Sequence, residues 1–87
     1  MSMTIDGRTL PTCAAFHRTI ADTLHFPAYY GKNLDALYDV LTDFADTEIV
    51  FENTSAVLEN LGDYGEKMLR CFSDAGKDSS MLKVIFK

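Results

Sequence analysis

Phe26-Pro27-Ala28-Tyr29-Tyr30-Gly31-Lys32-Asn33-Leu34-Asp35-Ala36-Leu37-Tyr38-Asp39-Val40-Leu41 reads as an aromatic turn delivered onto the start of a helix. Pro27 stops any helix that precedes it, because it has no N–H to donate and its ring crowds the turn before it. Asn33 is suited to cap the next one: its side-chain oxygen can accept from an orphan backbone N–H two or three residues on. Gly31 permits a backbone twist or close approach that a side chain would hinder. Leu34, Leu37, Leu41 and Phe44 then share one face of a 3.6-residue period, which predicts a helix from about Leu34 to Ala45. Asp35, Asp39, Asp43 and Asp46 share another face. Neighbouring carboxylates on such a stripe repel one another. Asp43 and Asp46 also fall toward the helix C-terminus, where the macrodipole disfavours anions. Folding alone would not select this stripe, whereas a cationic partner explains it.

Upstream, Met3–Asp6 reads as a short strand ended by Gly7. Pro11 and Thr12 open a helix whose Cys13, Phe16, Ile20 and Leu24 form a core-facing stripe. Downstream, Ile49-Val50-Phe51 is an apolar run without alternation, as in a parallel sheet covered on both faces. Asn53 or Thr54 can cap a third helix that Gly62 ends. Asp63 and Glu66 have the spacing of a capping box for a fourth, with Tyr64, Met68, Cys71, Phe72 and Ala75 inward. Met81 to Phe86 is the closing strand. Two strand, helix, helix units and a final strand favour an α/β domain: a three-stranded parallel sheet packed with about four helices and joined by right-handed crossovers.

Eighty-seven residues make one domain, residues 1–87. No stretch approaches the roughly 20 apolar residues of a membrane span. The first residues lack the basic and apolar regions of a signal peptide, so a cytoplasmic location is expected. The net charge of −5 argues against nucleic acid as direct partner, since phosphate binding needs clusters of Lys and Arg. Charge distribution says more than the total: residues 33–66 contain no Lys or Arg but nine of the thirteen acidic residues. Cys13 and Cys71 are too few for a disulfide framework and, on apolar helix faces, are expected to be buried free thiols. His17 and His25 are the only histidines, and no Cys/His spacing resembles a metal finger. No metal and no cofactor are therefore expected. His17 reads as a hydrogen-bonded structural residue. Asp35 and Asp39 lie one helical turn apart and could do acid–base chemistry. The chain offers no phosphate loop or nucleophile motif beside them, so no enzymatic activity is expected. Tyr30 reads as core. Tyr29 and Tyr38, next to the acidic stripe, read as interface, where tyrosine combines a large ring with a polar tip.

The run Pro27, Tyr29-Tyr30-Gly31, Asn33-Leu34-Asp35-Ala36-Leu37 and Asp39 resembles the barstar family, intracellular inhibitors of barnase-type ribonucleases. The match is gap-free there. It continues more weakly through His17 and, after a stretch about two residues shorter, Phe72-Ser73-Asp74-Ala75. The resemblance implies a barstar-like three-stranded parallel sheet. It also implies inhibition of a basic cytotoxic ribonuclease, one to one, by an acidic helix and aromatic loop that occlude its active site. Asp39 would be the central anion in the enzyme's phosphate site, and Asp35 a second. Tyr29 would pack at the rim. Gly31, Asn33 and Leu34 would supply backbone contacts and shape. Thr42 and Phe44 match interface positions of the family, Phe44 standing in place of tryptophan. Asp74 replaces a glutamate that reaches the same surface. Four departures bear on the choice of nuclease: Tyr38 where the family has tryptophan, Lys32 reversing an acidic charge, Asp43 for glycine, and Glu48 for proline. The same acidic face also suits a regulatory module that binds another toxin class or a basic nucleic-acid enzyme.

Overall fold

A computed structural model describes residues 2–27, 30–44 and 46–87. In chain order it contains β1 (Ser2–Asp6), a 3-10 turn (Gly7–Thr9), α1 (Cys13–Leu24), α2 (Leu34–Thr42), β2 (Thr47–Glu52), α3 (Thr54–Asp78) and β3 (Leu82–Phe86). The three strands form one parallel sheet in the order β1-β2-β3. This is the α/β architecture expected from the alternation of elements.

Local chemistry explains the helix starts. Thr12 caps α1, its hydroxyl accepting from the Ala15 N–H at 3.1 Å. Asn33 caps α2, its side-chain oxygen accepting from the Ala36 N–H at 2.8 Å. α3 starts differently. Asn53 occupies the capping position with a left-handed φ of 55° and makes no side-chain cap. Its amide donates instead to the Asp6 carboxylate at 2.9 Å, which Arg8 also grips through Nε and Nη2. The end of β1 is thereby tied to the β2–α3 turn.

Four expectations are corrected. First, α2 ends at Thr42, not Ala45, which lies outside the described residues. Its last turn tightens to i→i−3 bonds, Asp43 N–H to Val40 C=O and Phe44 N–H to Leu41 C=O. The chain then turns at Asp46 with a φ of 48°. Second, Gly62 ends a helix as expected, its φ of 56° and ψ of −130° being non-helical, but the next helix follows at once across a kink within α3, without the expected capping box. The Glu66 carboxylate accepts from Arg70, one turn on, at 3.0 Å instead of reaching back as a capping box would. Third, the sheet is not covered on both faces. Thr47, Ile49 and Phe51 are buried while Glu48, Val50 and Glu52 alternate with them half-buried. On the buried face of β2, Phe51 receives Phe16 of α1 and Phe72 of α3. Fourth, Cys13 is exposed at the first turn of α1, and Cys71 is half-buried, its thiol 3.6 Å from the Leu34 carbonyl.

Phe16 of α1, Phe51 of β2 and Phe72 of α3 centre the core. Phe51 and Phe72 meet edge to face at 5.3 Å, and each lies within 6.4 Å of Phe16. Such pairs contribute about 1 kcal/mol each beyond their buried area. Among the described residues no helix is long and apolar enough to cross a membrane.

Candidate protein-binding face

α2 buries Leu37 and Leu41 and packs chiefly on α3. Helical geometry then obliges Asp35 and Asp39, one turn apart, to face solvent, and both are exposed. Among the described residues neither forms an ion pair, whereas Asp6 pairs with Arg8, Glu66 with Arg70 and Glu48 with Lys83. Asp35 stands in the first turn, where the helix dipole favours an anion. Among the described residues the two carboxylates are thus presented without a cationic partner.

The segment entering α2 is anchored from beneath. His17 is buried on α1, with Nδ1 2.6 Å from the Tyr30 hydroxyl and Nε2 2.8 Å from the Tyr64 hydroxyl. Burial lowers the His17 pKa from its ordinary value, and the charge of Lys32 adds to this. In the neutral ring one nitrogen donates and the other accepts, so the two hydroxyls take opposite roles. Burial likewise pushes the Tyr30 phenol above its ordinary range. Tyr30 also stacks edge to face with Phe26 at 4.9 Å, and Phe26 tilts against Phe44 at 5.9 Å. This confirms His17 and Tyr30 as structural.

The other expected site residues distribute unevenly. Tyr29 lies outside the described residues. Gly31, Asn33 and Asp43 are exposed, and Leu34 is half-buried. Among the described residues of the loop it is Lys32, φ 55°, and not Gly31, that is left-handed. Gly31 serves close approach instead: an added Cβ would sit 3.3 Å from the Ala36 Cβ and from the Asn33 amide nitrogen. Thr42 is half-buried, its hydroxyl donating to the carbonyls of Tyr38 and Asp39 at 3.0 and 3.1 Å. Phe44 is half-buried against the core. Tyr38 is half-buried too, and its hydroxyl donates to the Asp78 carboxylate on α3, an acceptor that raises the phenol's pKa. Asp74 is exposed on α3 near enough to Tyr38 to act on it electrostatically.

The expected four-Asp stripe is therefore cut short. Asp35 and Asp39 are helical and Asp43 is the C-cap, but Asp46 has left the helix. A shallow groove of about 330 Å³ opens beside Asp39, lined by His25, Pro27, Val40, Asp43 and Phe44. His25 was not anticipated there. It ends α1 with a left-handed φ of 56°, and its position just before Phe26-Pro27 is the signal that could have placed it at the loop's base. Asp78 was also missed, because its contact with Tyr38 spans forty residues.

Comparison with known proteins bears on the family. A family model described as "Barstar (barnase inhibitor)" matches residues 1–87. A Bacillus subtilis (strain 168) protein named "Putative ribonuclease inhibitor YrdF" is 37% identical over 76 residues, covering 85% of this chain and 84% of that protein. By the whole-length family match and this level of identity, the chain belongs to the barstar family.

Proposed function

We propose that this protein inhibits a basic ribonuclease, in a one-to-one complex, by laying α2 and the segment before it across the enzyme's active site. The observation that carries the reading is the pair of exposed carboxylates, Asp35 and Asp39, which lack a cationic partner among the described residues and stand on a helix fixed from behind by Leu37 and Leu41. A ribonuclease must line its cleft with groups that bind phosphate. Carboxylates offered in place of phosphates receive charge-assisted hydrogen bonds from the same guanidinium and ammonium groups.

Asp39 takes the central place. It borders the groove that His25, Asp43 and Phe44 complete, so the partner's surface can close around it. Asp35 gives a second contact nearer the helix start, and Tyr29, Gly31, Asn33 and Leu34 supply the rim. Thr42, Phe44 and Asp74 border the same face. Tyr38 holds the α2–α3 packing through Asp78 and offers its ring edge. Occlusion suffices, with no catalytic step. The acidic segment 33–66 adds a long-range field that speeds encounter with a basic enzyme and makes association salt-sensitive.

The test is a ribonuclease assay against a panel of basic ribonucleases with the protein added in stoichiometric steps. Affinity capture from source cells supplies candidate partners. Linear loss of activity to one equivalent, abolished by Asp39→Ala, supports the proposal. Capture of a basic protein that has no ribonuclease activity would instead favour a regulatory module for another toxin class.

A further inference from the structure

The basic residues gather late in the sequence. Residues 67–87 hold five Lys or Arg against two Asp, whereas residues 33–66 hold none against nine acidic residues. Much of this charge borders β3, which is an edge strand: the sheet order leaves its outer side unpaired among the described residues. Lys87 N–H donates to Phe51 C=O and Met81 C=O accepts from Thr47 N–H. By alternation, the odd residues of β3 turn their polar groups to β2. Val84 and Phe86 then turn their N–H and C=O outward. Between this edge and α3 runs a groove in two confluent parts, of about 540 and 370 Å³, which share Ser73, Lys77 and Phe86. Leu69, Val84 and Phe86 give it an apolar lining. Phe86 is 40% exposed.

We propose that the free edge of β3 is a second docking site, which adds an extended peptide segment of alternating apolar and acidic residues as a fourth strand. Unpaired strand groups template such addition. The alternation follows from the two faces of β3. Side chains of an added strand on the α3 side meet the apolar part of the groove, whose polar lining is mixed, Arg70 and Lys77 alternating with Glu66 and Asp74, so it is the open face that selects acidic residues. Those on the open face lie beside Lys83 and Lys87, within reach of cross-strand pairing. Lys83 already pairs with Glu48, but only at 3.9 Å and with its side chain 72% exposed. The same lysines argue against a second copy of this chain as occupant, since β3 against β3 would set like charges opposite one another.

Titration of the 15N-labelled protein with acetyl-Glu-Val-Glu-Val-Glu-Val-Glu-amide tests this directly. The expected result is saturable shifts at the Val84 and Phe86 amides, with slowed exchange of both. The Lys-for-Glu peptide should bind at least tenfold more weakly. Lys83→Glu with Lys87→Glu should reverse that preference and leave ribonuclease inhibition unchanged. No shift at Val84 or Phe86 up to millimolar peptide overturns the proposal, as does equal binding of the two peptides. Shifts confined to α2 overturn it too, and so do shifts at β3 produced by duplex RNA but not by the acidic peptide. The wild-type titrations need no altered protein, so a poorly folded variant cannot mask the answer.

Discussion

The Tyr30 hydroxyl and the His17 Nδ1 atom, thirteen residues apart in the chain, meet at 2.6 Å in the buried core. That bond, together with the one from His17 to Tyr64, clamps the loop before α2 onto α1 and α3. The loop that carries the candidate contacts therefore depends on an imidazole that is itself out of solvent reach.

Stability should follow the protonation of His17. Its folded-state pKa lies below the ordinary 6.5 because burial penalises the charged ring. In the window between the two values the unfolded chain binds more protons, so stability rises with pH there and levels off above about 6.5. Urea midpoints measured from pH 5 to 8 should show this slope, and His17→Leu should flatten it. The substitution should also cost about 1–3 kcal/mol, because a buried tyrosine hydroxyl loses its partner. A slope unchanged in His17→Leu would assign the pH dependence elsewhere.

Asp39 and Asp43 should differ in kinetics. On the proposed function, Asp39 is buried among cations in the complex. Asp39→Ala then strands those cations and should weaken binding by about 3 kcal/mol or more, roughly a hundredfold, mostly through dissociation. Asp43, the exposed C-cap at the groove's outer edge, stays solvated at the rim of the complex and should act mostly through the long-range field. Asp43→Ala should lower the association rate a few-fold and reduce its salt dependence. Stopped-flow measurements on both variants, across a range of salt, separate the two behaviours. Equal and small effects would count against the assignment of Asp39.

Gly62→Ala should destabilise the fold by about 1–3 kcal/mol. The backbone there, φ 56° and ψ −130°, is a region that side chains rarely enter. No neighbouring atom lies within 4 Å of an added Cβ, so the cost is conformational and not a clash. Thermal unfolding of the variant reads it, and an unchanged midpoint would mean that the kink can relax into continuous helix.

The two thiols should react at very different rates. Burial pushes the Cys71 thiol up to about 11, so little thiolate is present at pH 8. Cys13 is exposed. Labelling with an aromatic disulfide at pH 8 should modify Cys13 at least about tenfold faster than Cys71, with Cys71 becoming accessible in urea. Equal rates in the native protein would show that α2 opens from α3 often enough to expose Cys71.

Periodicity and capping chemistry were enough to place the strands, the starts of α1 and α2, the apolar faces and the outward position of Asp35 and Asp39. These depend on interactions within about four residues along the chain, and the Asn33 to Ala36 bond is the type case. The true end of α2 was not legible, because the chain must turn at Asp46 to enter β2 beside β1 and β3, which carried the Asp stripe off the helix. Nor could local pattern reveal that one face of the sheet stays open, that Asn53 serves Asp6 instead of its own helix, or that Tyr38 is claimed by Asp78. Each of those is a partnership across forty or more residues, or a consequence of strand order. Local hydrogen bonding and the helical repeat act between neighbours in sequence, whereas only the folded chain brings distant donors, acceptors and surfaces within reach of one another.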